Sequence, residues 1–210
     1  MKIIVFGASG ATGHYLVSQG VEKGHRITAY VRNPSKLKIG SKDLNIFKGD
    51  VSNANQIQDA IRDQEAVISA LGASSPFKRD FTLIKGIENI VGAMTKFNIR
   101  RFIYQSFLGV TEHREDLGFL VNSIIPVILK NVIKDHEAKE QIITSSTLQW
   151  TIVRCPMLTS GTPTGRYIYG ERIKSVWPLP LISRADVADF MLKQLDDTKC
   201  INKKPRIISR

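Results

Sequence analysis

A glycine-rich turn near the start of the chain has the residue types and spacing of a phosphate-binding loop. A short apolar run ends at Gly7, and Gly10 and Gly13 follow at three-residue intervals in the sequence GASGATG. In such a turn the first glycine permits the bend out of a strand, the second lets the backbone approach a pyrophosphate, and the third lets helix and strand pack closely. The free N–H groups of the next helix then face the phosphates. We therefore predict a dinucleotide site in this turn, which also contains Ser9, Ala11 and Thr12.

A basic corner after the second predicted strand indicates which dinucleotide the site prefers. An NAD site places an acidic residue about 20 residues beyond the glycine turn, but no acid occurs between Glu22 and Asp43, and the corner carries Arg32 and Lys36. A carboxylate would repel a ribose 2′-phosphate, whereas a guanidinium binds it with two hydrogen bonds and an ammonium adds a point charge. We predict NADPH or NADP in preference to NAD. The alternative is that both cations are ordinary surface charges.

A further polar position follows the third predicted strand. Asp50 and Val51 lie there, in the sequence Lys48-Gly49-Asp50-Val51, where a side chain can meet the adenine. An N-cap of the following helix is an equally good interpretation of Asp50.

The elements that position these residues follow from hydrophobic periodicity. Runs of four to seven apolar residues alternate with segments of helical period, which is typical of βαβ units around a parallel sheet. We predict a Rossmann-type α/β fold with a doubly wound parallel sheet between two helical layers, in one domain over residues 1–210. Two irregular stretches are interpreted as a small substrate-side insertion that forms a pocket wall, or as packing loops. The predicted strands are 2–6, 26–31, 45–48, 66–71, 101–105, 150–154 and 206–208, the predicted helices are 12–23, 55–63, 81–97, 135–144 and 185–195, and the irregular stretches are 111–134 and 157–183.

Composition restricts the environment and the partners. The 30 basic and 19 acidic residues give a net charge of +11, so the chain should meet polyanions readily. No helix dense in Arg and Lys and no stacking motif accompanies that charge, so no specific nucleic-acid partner is expected. Cys155 and Cys200 stand far apart without a CxxC motif, which indicates a reduced, cytoplasmic chain. The apolar start is too short for a signal peptide, and no apolar run reaches the roughly 18 residues of a membrane span.

Several common catalytic arrangements are absent from the sequence. None of the five tyrosines is followed four residues later by lysine, so alcohol dehydrogenation by a Tyr-Lys pair is not expected. The four histidines never fall at metal-ligand spacing, so no metal site is expected. There is also no GxxxxGK[ST] loop and no GxSxG elbow.

The motifs together resemble one family over nearly the whole chain. The sequence is similar to atypical short-chain dehydrogenases/reductases, in the subgroup of NAD(P)H-binding proteins typified by flavin reductase (biliverdin-IXβ reductase), with NmrA-like redox sensors as cousins. The resemblance rests on GASGATG, YVRNPSKL, GDV, ENIVGAMTKFNIRRFIYQS at 88–106, TIVRCP at 151–156, ISRADVADFMLKQL at 182–195 and the Asp135-His136 opening of a helix. It implies NADPH on Gly10, Thr12, Gly13, Arg32 and Lys36, and a nicotinamide near Leu71, Gly72, Ser106 and the Cys155-Pro156 step.

The resemblance also implies a chemistry, with two departures. Where the family places its Tyr-Lys pair, Lys139 occupies the lysine position but Asp135 replaces the tyrosine, and Met157 stands where related reductases carry histidine. Ser106 matches the serine that faces the substrate, although a serine at a strand end can instead cap a backbone group. We predict hydride transfer to a planar conjugated acceptor such as a flavin or quinone, which can take its proton from water. The alternative is a non-catalytic NADP(H) sensor that acts through a protein partner.

Two further expectations concern the substrate side. Aromatic residues in or beside the irregular stretches are candidates for a planar-substrate pocket, although isolated aromatics are more often core; they are Phe107, Phe119, Tyr169 and Trp177. Cys155 is expected to be buried at a strand end and chemically inert.

Overall fold

The fold is built on a mostly parallel sheet with helices on both faces. The computed structural model describes residues 1–72, 75, 78–110, 112–175 and 178–210. Its strands are β1 (Lys2–Phe6), β2 (Arg26–Val31), β3 (Leu44–Lys48), β4 (Ala66–Ser69), β5 (Arg101–Phe107), β6 (Gln149–Cys155), β7 (Met157–Thr159), β8 (Tyr167–Gly170), β9 (Leu181–Ser183) and β10 (Arg206–Ser209). Its helices are α1 (Ala11–Glu22), α2 (Ala54–Ile61), α3 (Phe81–Lys96), α4 (Ile125–Ile128), α5 (Lys130–Thr144) and α6 (Arg184–Lys193).

The strand order places a crevice beside the glycine turn. Eight strands form one sheet in the order β3-β2-β1-β4-β5-β6-β10-β8, and every neighbouring pair is parallel except β10 with β8. The order reverses between β1 and β4, and ligands of open α/β sheets bind at the carboxyl ends of the strands at such a switch point. The predicted Rossmann-type, doubly wound architecture is therefore confirmed.

The central strand shows why these strands are nearly continuously apolar. Ile3 and Val5 of β1 are buried in the core shared with α1 and α6, whereas Ile4 and Phe6 are buried in the core shared with α2 and α3. Since successive side chains of a strand point to opposite faces, a strand covered on both sides needs apolar residues at every position. None of the helices in the described part of the chain combines the length and hydropathy needed to cross a bilayer.

The stretch predicted to be irregular at 111–134 is largely helical. It contains a π-helical turn at Leu120–Ile124, followed by α4, and α5 begins at Lys130 rather than at the predicted residue 135. Asp135 and His136 therefore lie in the second turn of α5 and do not open it. The sequence from 119 to 129 is apolar at almost every position apart from Asn122 and Ser123, so it lacks the polar face that gives a helix its periodic signal.

Short strands account for the other differences between the predicted and the observed elements. The second irregular stretch, 157–183, contains β7 and β9, which pair in a small parallel sheet, and β8, which extends the main sheet beyond β10. Strands of three or four residues carry too few positions for a period-2 pattern. The fourth strand ends at Ser69 rather than at residue 71, which leaves Leu71 and Gly72 in the loop at the sheet's carboxyl edge.

Candidate active site

The glycine turn has the geometry that the spacing predicts. Gly7 follows β1 with φ +78°, and a Cβ there would lie 2.7 Å from the carbonyl oxygen of Ala70. A Cβ on Gly10 would lie 3.1 Å from the carbonyl oxygen of Gly7, and one on Gly13 only 2.0 Å from the same oxygen. Side chains at the first and third positions would therefore collide with backbone, so the turn keeps an open backbone surface in front of α1.

A pocket of about 360 Å³ opens at the switch point beside this turn. It brings together residues from the glycine turn, the basic corner, the segment after β3 and the loop after β4. The predicted cofactor residues that line it are Gly7, Ser9, Gly10, Arg32, Lys36, Asp50, Val51, Leu71 and Gly72. Ala11, Thr12 and Gly13 form the first turn of α1 instead of lining the pocket, so their predicted contribution is through the helix N-terminus.

The basic corner is structured and its cations are available. A single 3₁₀ turn at Pro34–Lys36 follows β2, and the side chain of Asn33 caps it by accepting a hydrogen bond from the Ser35 N–H at 3.1 Å. Arg32 and Lys36 are both exposed and line the pocket, and neither forms an ion pair with any described residue. Two cations that form no ion pair with the described residues, at the edge of this pocket, make its surroundings electropositive.

Asp50 caps a turn and does not cap α2. Its Oδ1 accepts hydrogen bonds from the Ser52 N–H at 2.8 Å and from the Ser52 hydroxyl at 2.7 Å. These bonds, with a smaller contribution from the charge of Arg32, lower the pKa of Asp50. The N-cap of α2 is Asn53, so the helix-cap interpretation of Asp50 was wrong. The carboxylate remains part of the pocket lining.

A second, smaller pocket of about 150 Å³ lies beside the first, on the loop after β4. Both pockets are lined by Ala70, Leu71 and Gly72. The second adds the carboxyl ends of β5 and β6 and one face of α5; its other lining residues are Gln105, Ser106, Phe107, Val132, His136, Cys155, Pro156 and Leu158. All residues that the family resemblance places around a nicotinamide therefore line this one pocket.

Some predicted substrate-side residues lie elsewhere. Phe107 lines the second pocket, but Phe119 is 69% exposed on the helical segment before α4, and Tyr169 packs against Phe190 with ring centroids 4.7 Å apart. The prediction that these two belong to a planar-substrate pocket was wrong. Met157 is half exposed and does not line the pocket, where Leu158 contributes instead. Trp177 lies outside the described residues.

Ser106 is hydrogen-bonded to a network of charged side chains that runs through Glu140 and Arg154 to Glu112. Its hydroxyl donates to Oε1 of Glu140 at 2.6 Å, and Oε2 of Glu140 accepts from the Arg154 guanidinium at 2.8 Å. Arg154 also reaches Glu112 at 2.9 Å, which lowers the pKa of that exposed carboxyl to about 2. The serine thus bonds side chains, so the backbone-capping alternative was wrong. The ion pair fixes the hydroxyl at the edge of the second pocket.

His136, which lines the second pocket, and its partner Tyr104 were not predicted from the sequence as candidates for this site. Nδ1 of His136 lies 3.1 Å from the Tyr104 hydroxyl and 3.3 Å from Oγ of Ser106. Burial, with the charge of Lys139, lowers the pKa of His136 well below 6.5, and burial raises that of Tyr104 well above 10.0. The sequence does contain a signal for this group. Tyr104 and Ser106 are two residues apart on one strand, and His136 and Glu140 are four residues apart on one helix, so the two members of each pair lie on the same face of their element.

At the two positions of the family's Tyr-Lys pair, Asp135 is hydrogen-bonded to neighbouring residues and Lys139 is deeply buried. Asp135 accepts from Nε of Arg79 at 2.8 Å and from the Asp80 N–H at 2.7 Å, where Asp80 caps α3. Lys139 is almost fully buried, and burial lowers its pKa to about 8. Neither lines the second pocket. The described residues contain no cluster of His, Cys, Asp and Glu suited to a metal ion.

Cys155 lines the second pocket but is itself only 2% exposed. Burial raises the pKa of its thiol, and Sγ lies 3.6 Å from the carbonyl oxygen of Val153. Because the thiolate is the reactive form, this environment fits the expectation of an inert thiol.

The parallel sheet, the glycine turn at its switch point and the cleft along its carboxyl edge define a Rossmann-type dinucleotide-binding protein. More specifically, the chain belongs to the NAD(P)H-binding family, whose model matches residues 7–198. A nicotinamide dinucleotide is therefore its cofactor class, and the resemblance to NAD(P)H-binding reductases is confirmed.

Known proteins similar to this chain include reductases. An isoflavone reductase homolog from Nicotiana tabacum is 25% identical over 216 residues, which cover 96% of this chain and 66% of that protein; this chain thus spans just under two thirds of that relative's length. The oxidoreductase YlbE from Lactococcus lactis has a TM-score of 0.83 at 20% identity, covering 100% of this chain and 91% of the other. ChuY, an anaerobilin reductase from Escherichia coli, has a TM-score of 0.79 at 18% identity, covering 100% and 97%. At these identities the two structures show a shared fold.

Proposed function

We propose that the protein is a cytoplasmic, NADPH-dependent oxidoreductase that transfers hydride to a planar conjugated acceptor such as a flavin or quinone. The observation that carries the proposal is that the two pockets lie side by side and share Ala70, Leu71 and Gly72 in their linings. One pocket has the backbone cradle and cations suited to the phosphate end of a dinucleotide, and the other has a partly aromatic lining with a fixed hydroxyl.

The residues present fit NADPH along the whole cleft. The glycine turn leaves backbone exposed where a Cβ at Gly7 or Gly13 would collide, and Arg32 and Lys36 would hold the 2′-phosphate. In the second pocket, the buried Oε1 of Gln105 has no hydrogen-bond partner among the described residues. It is therefore an acceptor suited to an amide N–H such as that of a nicotinamide carboxamide. When bound, NADPH would supply the hydride.

The second pocket suits a ring that stacks and not a whole enclosed substrate. Its volume of about 150 Å³ is smaller than the roughly 300–1,000 Å³ of sites that enclose a drug-sized ligand. The nicotinamide would use this space, so an acceptor ring would stack against it at the opening of the pocket, with the rest of the molecule extending outward. Ser106 would accept a hydrogen bond from an N–H or O–H group of that ring, because its own hydroxyl proton is donated to Glu140 at 2.6 Å. The reductase names of two similar proteins support the same chemistry.

Binding and turnover test this function in sequence. We expect tighter binding of NADPH than NADH by fluorescence titration, and oxidation of NADPH, followed by its near-ultraviolet absorbance, only when a flavin or quinone is added. Ser106→Ala should slow oxidation, whereas Ser18→Ala, on α1 outside both pockets, should not. Tight NADPH binding without turnover on any acceptor would contradict the reductase and favour the non-catalytic sensor with a protein partner.

A further inference from the structure

We propose that His136 is a catalytic residue: its neutral imidazole donates the Nε2–H to the acceptor atom that becomes negatively charged as hydride arrives. The acceptor class that this selects is a conjugated carbonyl compound or a ring with a conjugated imine nitrogen. The inference rests on the proposed function and adds to it the group that polarises the acceptor.

The imidazole occupies the right place for this role. His136 lies on α5 and lines the second pocket together with Ser106 and Phe107, and its ring centroid is 6.3 Å from that of Phe107. The residue as a whole is not fully buried, and it forms part of the pocket wall. Nδ1 faces the Tyr104 hydroxyl and Oγ of Ser106. Nε2 forms no hydrogen bond with any of the described residues and is the ring's remaining polar atom.

Hydrogen-bond accounting around Nδ1 determines where the imidazole proton resides. The single hydroxyl proton of Ser106 is directed to Glu140 at 2.6 Å, because an ionised carboxylate only accepts. The Tyr104 hydroxyl is fully buried, and within the described residues its hydrogen-bond partner is Nδ1 of His136 at 3.1 Å. A buried hydroxyl proton requires an acceptor, so Nδ1 must carry the lone pair. The proton of the neutral ring then resides on Nε2.

The surroundings keep the ring neutral. The groups that face it are the hydroxyls of Tyr104 and Ser106 from β5, and Lys139 and Glu140 from its own helix. Burial and the positive charge of Lys139 lower the pKa of His136 well below 6.5. A neutral imidazole is a hydrogen-bond donor and a very weak acid, so it stabilises an anion without giving up its proton.

The electron balance of the step is simple. Hydride from NADPH would form a new bond to a carbon or ring nitrogen of the acceptor as the C–H bond of the dihydronicotinamide breaks, and oxidised NADP would be the other product. The π electrons of the acceptor move to its carbonyl oxygen or ring nitrogen, and the new anion receives the hydrogen bond from Nε2. Water then protonates the anion. Donors preplaced at the site of developing charge lower the barrier in this way.

Tyr104 is a positioning residue in this arrangement, because it sets the tautomer. In Tyr104→Phe, Nδ1 loses its donor and can instead carry the proton and donate to Oγ of Ser106, which lies 3.3 Å away. Nε2 would then present a lone pair to the acceptor and repel the developing anion. The variant should keep its affinity for NADPH, because Tyr104 does not line either pocket.

The tautomer can be measured without turnover. In protein labelled with ¹⁵N-histidine, the resonances of His136, assigned with His136→Phe, should show a protonated Nε2 and an unprotonated Nδ1 from about pH 6 to 8, on both sides of the ordinary histidine pKa. In Tyr104→Phe, at least part of the population should carry the proton on Nδ1. An Nδ1–H tautomer or an imidazolium at neutral pH in the unmodified protein would overturn the proposal.

Kinetics test the contribution to catalysis. His136→Phe should lower kcat by roughly 100-fold, as for loss of one oxyanion donor, while it still binds NADPH, which reports a folded site. His136→Gln, whose amide can supply an N–H, should recover part of the loss, and His25→Phe, outside both pockets, should behave as the parent. Full turnover in His136→Phe would refute the role of His136. Absence of turnover in the parent protein would instead refute the proposed function. The NMR measurement does not need turnover, so it would still test the predicted tautomer of His136.

Discussion

Exchange of Arg32 for glutamate should remove the preference for NADPH. Arg32 is exposed at the carboxyl end of β2, lines the larger pocket with Lys36, and forms no ion pair with the described residues. Its guanidinium is therefore available to a 2′-phosphate, which NADH lacks. The substitution should act on NADPH selectively.

The size of the effect follows from two contributions. Loss of a charge-assisted hydrogen bond costs about 1.5 kcal/mol, the lower end of the range because the side chain is exposed. Repulsion between the new carboxylate and the phosphate adds about 1 kcal/mol per charge at a water-like dielectric constant. Together these correspond to roughly a 100-fold increase in the Kd for NADPH. The Kd for NADH should change by less than about 3-fold, because the glycine turn is untouched.

Fluorescence titration of both dinucleotides with the two forms of the protein measures this ratio. Lys38→Glu is the matched control, because it makes the same change in net charge on an exposed residue near the corner that does not line the pocket. An unchanged ratio of NADPH to NADH affinity in Arg32→Glu would refute the assignment. An equal change in Lys38→Glu would show that the effect is one of overall charge. In the parent protein, the ratio of NADPH to NADH affinity should also fall as the salt concentration rises, because salt screens the attraction between Arg32 and the 2′-phosphate.

Three other outcomes are expected. Gly13→Ala should abolish NADPH binding in a calorimetric titration, since its Cβ would lie 2.0 Å from a carbonyl oxygen of the glycine turn, while Gly92→Ala, whose Cβ meets nothing within 4 Å, should bind normally; binding by both would contradict this geometry. Arg154→Met should lower the free energy of unfolding by about 3 kcal/mol, because Glu140 is left buried without its closest cation; denaturant unfolding with no loss would argue against the ion pair. Because Arg154 lowers the pKa of Glu112 from 4.5 to about 2, that carboxylate stabilises the fold above pH 4.5 and loses its effect as the pH falls toward 2. The decline of Tm over this window should be shallower in Glu112→Gln, and identical slopes would exclude the contribution.

Local signals were enough for the dinucleotide half of the site. Gly7, Gly10 and Gly13 serve one turn, so their spacing alone carries the information, and Arg32 needs only to follow the neighbouring strand in sequence. The alternation of apolar runs with helical segments likewise predicted the parallel sheet, because a strand covered on both faces has a composition that does not depend on its neighbours. Where two interpretations fitted equally well, as at Asp50, contacts had to decide between a helix cap and a turn.

The substrate half depended on tertiary structure. Tyr104 and Ser106 lie on β5 and His136 and Glu140 on α5, about 30 residues later, and only packing of that helix on the sheet's edge brings them within hydrogen-bond distance. The sequence by itself determined the glycine turn and the parallel sheet that presents it, because those features reside in single strands and turns. The tertiary structure decided which polar groups line the smaller pocket and which of them lie within hydrogen-bond distance of the His136 ring, because contacts between a strand and a helix about 30 residues later are a property of the assembled fold.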